Sequence, residues 1–182
     1  KFDDVMNDQR QVIFSQRLKI LKNKKIEEIL GDFLNEILSN LQKARNIYQK
    51  SNDEKSYLAS IKSTTGNIIN DKDLISMALL SQEQFAKKIK DLYLSKKKER
   101  TDIIGVEENN NLEKKIFLQI IDFAWRSHLQ YLEQLRQVIG LRSYGQKDPL
   151  SEFKKEAFTL FEGLLEKIKN DVIKFLLNLN IV

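Results

Sequence analysis

The chain has 182 residues, 41% of them hydrophobic and 31% charged, with a net charge of +5, which bounds it to about one domain or one elongated assembly and excludes the disordered and membrane-embedded classes. Six Gly and one Pro make up about 4% of the chain, where average usage gives roughly 12%. Sandwiches and barrels need a turn every 8 to 12 residues or so, so the expected fold class is all-α with few, long elements.

The first element in chain order is helical. After Val5, Val12 and Ile13, the series Ile26, Ile29/Leu30, Phe33/Leu34, Ile37/Leu38 and Leu41 repeats at three and four residues, the spacing of one helix face. No proline interrupts it, and Gly31 costs only about 1 kcal/mol relative to Ala. One helix from about residue 4 to 48 is expected, a strut over 1–50 with other pieces packed along it. Residues 51–110 differ in character, with turn-rich stretches at Ser51-Asn52-Asp53 and at 63–70. Ser81-x-x-Gln84 has the capping-box pattern that opens a helix, expected to run to about Glu99. Thr101 to Asn111, with Gly105 and three consecutive Asn, reads as a loop. The segment 51–110 is therefore expected to be a small separate helical lobe.

Residues 111–182 carry two further stripes. Ile116/Phe117, Ile120/Ile121, Ala124/Trp125, His128/Leu129, Leu132, Leu135 and Val138/Ile139 form one. Phe153, Ala157/Phe158, Phe161, Leu164/Leu165, Ile168, Val172, Phe175/Leu176 and Leu179 form the other. Between them, Asp148 suits an N-cap and Pro149 the first helical position, where its missing N–H has no partner to lose. The expectation is an antiparallel two-helix hairpin with its tip at 141–148, carrying Arg142, Tyr144 and Lys147.

The chemistry the chain can carry is narrow. Cysteine is absent and histidine occurs once, at His128, so no thiolate zinc site or two-histidine metal site can be built within it. No nucleophile motif accompanies His128. Gly140-x-x-x-x-Gly145-Gln146-Lys147 imitates a phosphate loop, but Gln146 displaces the lysine and Asp148 stands near the place of the magnesium-binding hydroxyl. Trp125 and His128, one turn apart, read as an aromatic anchor beside a hydrogen-bonded histidine at a helix seam. Residues 87–100 hold seven basic and two acidic side chains, so the net charge of the whole chain resides in one run. A solvated helix face is its default reading, an anionic lipid surface or acidic partner comes next, and nucleic acid last, for want of an aromatic platform. Tyr144, flanked by Gly140 and Gly145, cannot easily be buried by its own two helices; either another domain covers it or it makes a functional contact. No apolar run approaches the roughly 18 residues of a membrane span. The opening Lys1-Phe2-Asp3-Asp4, without an initiator Met, reads as part of a longer protein.

Three stretches resemble a known family. Phe2-Asp3-Asp4-Val5-Met6-Asn7-Asp8-Gln9-Arg10-Gln11-Val12-Ile13-Phe14-Ser15-Gln16-Arg17 resembles the start of the helical scaffold of SecA, the ATP-driven bacterial preprotein translocase motor. Trp125-Arg126-Ser127-His128-Leu129 and Tyr131-Leu132-Glu133-Gln134-Leu135-Arg136-Gln137 look like the first helix of its two-helix finger. Leu141-Arg142-Ser143-Tyr144-Gly145-Gln146-Lys147-Asp148-Pro149 looks like the fingertip. The segment 51–110 matches the family's helical wing poorly and is short for it. Ser143 stands where many members have Gly, and Ser127 where an acidic residue is usual.

The resemblance implies a non-catalytic fragment that couples ATPase domains to preprotein movement into the SecYEG channel and restrains ATP hydrolysis. Tyr144 would contact the moving preprotein, with Arg142 and Lys147 supporting the tip against channel or substrate. It implies no metal and no cofactor within this fragment, ATP and magnesium being bound by nucleotide-binding domains elsewhere in the parent chain. The expected partners are SecYEG, preproteins and those nucleotide-binding domains, with an anionic lipid surface and a homodimer as further candidates and nucleic acid disfavoured. The expected location is cytoplasmic, peripheral on the inner face of the bacterial plasma membrane. The rival reading is a structural coiled-coil or adaptor module, which accounts for the stripes but not for the tip.

Overall fold

A computed structural model describes residues 1–23, 26–142 and 148–182, except for the side chain of Arg142. All regular structure among them is helical: α1 (Phe2–Lys22), α2 (Glu27–Ser51), α3 (Glu54–Thr65), α4 (Asp71–Ala78), α5 (Gln82–Ile104), α6 (Val106–Arg142) and α7 (Pro149–Asn178). Packing sorts them into two units. One joins α1 to the described residues between Lys114 and Ile168; the other joins the chain from α2 to Glu113 with Lys169–Val182. The lobe expected at 51–110 lies inside the second unit.

The structure departs from the sequence reading at two places. The single helix expected over 4–48 is two helices. Asn23 ends α1 in extended backbone (φ −75°, ψ 124°), its N–H donating to Lys19 O. The chain re-enters helix behind Ile26, fully buried, whose N–H donates to Asn110 Oδ1 at 3.4 Å. Asn is a poor interior helix former, and both flanking helices bury apolar faces, so the stripe alone does not reveal the break. The loop expected over 101–111 is helical apart from Gly105 (φ 90°, ψ 161°), which caps α5. The asparagine run belongs to α6 because Asn109 is buried and hydrogen-bonded there.

Other local expectations hold. Ser81 Oγ accepts from the Gln84 N–H at 3.2 Å while Gln84 Oε1 accepts from the Ser81 N–H at 3.3 Å, the reciprocal capping box. Asp148 precedes Pro149 at the start of α7; its carbonyl accepts from the Glu152 N–H at 3.1 Å and its carboxylate from the Ser151 hydroxyl at 2.8 Å. Bonding to Ser151 holds the Asp148 carboxyl below the usual range.

In the second unit, α2 packs against α3, α4 and α5. Three of its polar side chains donate to carbonyls around the junction of α4 and α5: Gln49 Nε2 to Ala78 O at 2.8 Å, Arg45 Nη2 to Leu80 O, and Gln42 Nε2 to Gln82 O at 2.6 Å. Their spacing of three and four residues places them on one helix face. Within the same unit, α7 caps α3. Asn170 Nδ2 donates to Ser63 O at 2.9 Å and Asn178 Nδ2 to Thr65 O at 3.0 Å, answering carbonyls that a helix end leaves without partners.

Gly66 ends α3 at φ 63°, ψ −139°, a region that side chains with a Cβ avoid. A Cβ there would come within 2.8 Å of Asn178 Nδ2, the amide that caps Thr65. Gly66→Ala is expected to cost about 1–3 kcal/mol through backbone strain and the lost cap. Gly31→Ala, inside α2 with nothing within 4 Å of the added methyl, should stabilise by up to about 1 kcal/mol. Chemical denaturation of the two variants side by side checks the opposite signs.

Candidate functional site

The candidate site is the helical hairpin of the first unit and the helix that holds it. Met6 from α1, Leu132, Leu135 and Ile139 from α6, and Phe153 and Ala157 from α7 form one buried cluster, with Phe2, Val5, Leu129 and Leu160 packed around it. These residues fall at three- and four-residue spacings on each helix, so each helix turns one apolar face to the other two. Phe2 meets Phe153 edge-on, with centroids 5.0 Å apart at 77°, a favoured aromatic geometry. Arg136 lies over the Phe2 ring at 5.6 Å and its Nη1 sits 3.1 Å from Asp3 Oδ1. Further along, Arg17 pairs with Asp122: Nη2 donates to Oδ2 at 3.2 Å, and Nε lies 2.9 Å from Oδ1.

Between these two pairs sits a buried polar contact. Gln9 is 7% exposed. Its Nε2 donates to Ala157 O on α7 at 3.1 Å, and its Oε1 lies 2.8 Å from His128 Nε2 on α6. A carbonyl can only accept, so the bond to Ala157 fixes which end of the Gln9 amide faces His128. His128 therefore carries a proton on Nε2 and donates it to Gln9 Oε1. Burial pushes the imidazole below its ordinary 6.5, which favours its neutral form. The rings of Trp125, 5.5 Å away, and Phe161, 5.8 Å away, lie against it. The reading of Trp125 and His128 as a seam anchor and its bonded histidine stands. The partner, Gln9, was not foreseen, although a glutamine at a position of the Met6, Ile13, Ile20 stripe was the available signal.

Of the expected contact residues, Tyr144 and Lys147 lie outside the described residues, as does the side chain of Arg142. The described flanks are open: Leu141 at the end of α6 is 72% exposed and Val138 43%, and Asp148 is exposed at the start of α7. The helices α6 and α7 thus carry the two ends of the 141–148 connection.

The basic run looks different in the folded chain. Arg100 is buried against Glu113 at 3.3 Å. Lys96 bonds Glu99 at 3.4 Å and Asn180 at 3.0 Å, Lys97 pairs with Glu27, and Lys98 bonds Asp102 at 2.7 Å. Lys87, Lys88 and Lys90 are exposed. Much of the charge is thus answered within the fold, which disfavours an extended polyanion-binding surface. No group of three or more His, Cys, Asp or Glu among the described residues could hold a metal ion. No helix among them is long and apolar enough to cross a membrane.

The arrangement is that of an all-helical framework, with a hairpin held along one helix in the first unit and a lobe of short helices in the second. Residues 1–180 match the family described as the SecA wing and scaffold domain, and the chain belongs to that family. Similar proteins include the protein translocase subunits SecA of Pelagibacter ubique, 46% identical over 182 residues, of Hyphomonas neptunium, 34% over 185, and of Caulobacter vibrioides, 33% over 184. Each comparison covers all of this chain and 20–21% of the relative, so the chain spans about a fifth of the length of these relatives.

Proposed function

We propose that this chain is the scaffold, wing and two-helix finger of an ATP-driven preprotein translocase, and that it couples ATPase domains to movement of preproteins into the SecYEG channel. The observation that carries the reading is a hairpin seated on α1 by a buried cluster and a buried polar contact, in a chain matched from end to end by translocase relatives. Such a part does mechanical work. Changes at the ATPase domains act on α1, α1 repositions the hairpin, and Tyr144 at its tip grips or guides the polypeptide. Arg142 and Lys147 support the tip by contact with channel loops or substrate backbone. ATP and magnesium are bound by other domains, and this segment restrains their hydrolysis until channel and preprotein engage. The working location is the cytoplasmic face of the bacterial plasma membrane.

The test is Tyr144→Gly in a full-length translocase subunit carrying this segment, since Gly removes every side-chain contact at the tip. Preprotein transport should fall about tenfold or more, the equivalent of losing roughly 1.4 kcal/mol, with nucleotide binding unchanged. Normal transport would count heavily against the reading.

A further inference from the structure

We infer that Gln9 is the residue that sets the axial register of the finger on α1, acting through His128 and Ala157; the inference rests on the finger reading above. Most of what joins the three helices is apolar: Met6, Leu132, Leu135, Ile139 and Phe153. Such contacts are non-directional and tolerate small shifts of one helix along another. The exposed ends contribute ion pairs, Arg136 with Asp3 and Arg17 with Asp122, whose long or solvated side chains can follow a sliding helix and which are worth little individually.

Gln9 differs in each respect. It is buried, its planar amide is rigid, and its two ends are committed to two different helices, Nε2 to a backbone carbonyl on α7 and Oε1 to the ring of His128 on α6. Two residues of slip along a helix is about 3 Å, enough to carry either bond from 2.8 or 3.1 Å out of hydrogen-bonding range even when the slip runs across the bond. Both groups would then be left unpaired in a buried site, the costly case for a polar atom. The acceptor on α7 is a main-chain atom and cannot move independently of its helix. The donor on α6 is a side chain, but Trp125 and Phe161 lie against the ring. The side chain at the α7 contact is only a methyl, that of Ala157, fully buried, which lets α1 come close enough for Gln9 to reach the carbonyl. Gln9 is thus a positioning residue. It touches no substrate and fixes where the tip stands relative to the helix that drives it.

The test uses a full-length translocase subunit carrying this segment, with spin labels at Gln11 on α1 and Gln137 on α6, both exposed. The unsubstituted protein should give one narrow distance. Gln9→Leu, which keeps the bulk and removes both bonds, should shift or broaden it by about 3 Å or more. His128→Leu should do the same, while His128→Gln, which retains an amide donor, should restore the narrow distance. ATP hydrolysis without preprotein should rise about fivefold or more in the two Leu variants, the low end of ordinary coupling energies, and return toward the original rate in His128→Gln. If Gln9→Leu does not fold, Gln9→Asn, which keeps the amide but draws it back by one methylene, is read instead. An unchanged distance in a folded Gln9 variant overturns the inference. If the unsubstituted protein moves no preprotein, the functional reading fails, and the distances still decide whether Gln9 sets the register.

Discussion

Glu113→Ala should destabilise the second unit by about 3–5 kcal/mol, the range for breaking a buried ion pair from one side. Arg100 and Glu113 have side chains only 2% and 1% exposed. The Arg100 guanidinium donates Nε to Asn109 Oδ1 at 3.0 Å, Nη1 to Leu176 O at 2.8 Å and Nη2 to Glu113 Oε1 at 3.3 Å. Asn109 Nδ2 in turn donates to the same Glu113 oxygen at 2.9 Å. Removing the carboxylate strands a cation where water cannot reach it and orphans an amide proton as well. Burial raises the nearby Tyr93 phenol above its ordinary 10, with the Glu113 carboxylate adding to the shift, which marks the same low-dielectric surroundings. Replacing both partners by apolar residues, Arg100→Met with Glu113→Leu, should cost much less than Glu113→Ala, because no charge is left alone. Denaturant unfolding of the single and double variants reads the difference; equal losses would mean that the site works by shape and not by charge.

Phe153→Ala should cost about 3–5 kcal/mol in the first unit, the range for deleting a buried aromatic. The ring is fully buried among Met6, Leu132, Leu135 and Ile139, and its edge-on contact with Phe2 is lost too. It lies only four residues past Pro149, so the cavity opens where the hairpin's returning strand of chain becomes helix. Phe158→Ala, on the same helix but 62% exposed, should change stability by less than about 0.5 kcal/mol. Thermal unfolding of both variants checks the contrast, and similar effects would contradict the assignment of the two faces of α7.

Much of this architecture could be read from the residues. The stripes of α6 and α7, the Ser81 capping box and the Asp148-Pro149 start depend on spacing or on local bonding, and local rules decide them. The break at Asn23 was hidden because α1 and α2 each carry the stripe onward. The helical state of 106–111 was hidden because the asparagines look like turn formers until the buried partners of Asn109 are known. The polar contacts were half visible. Gln9 and Arg17 share the stripe of Met6, Ile13 and Ile20; Arg100 follows Phe85, Ile89 and Tyr93; Asn109 and Glu113 precede Phe117. A polar residue on an apolar stripe announces a buried partner, but which partner is a matter of tertiary packing that the sequence pattern does not contain. The charge run at 87–100 illustrates the converse, since two of its partners, Glu27 and Asn180, are distant in sequence.

The central claim, that the hairpin tip touches the moving chain, is tested most directly by a photo-crosslinker at position 144 of a full-length translocase subunit carrying this segment, with a preprotein stalled in the channel. ATP-dependent crosslinks to the preprotein are the predicted result. Crosslinks confined to the motor itself would contradict it and make the tip a docking contact.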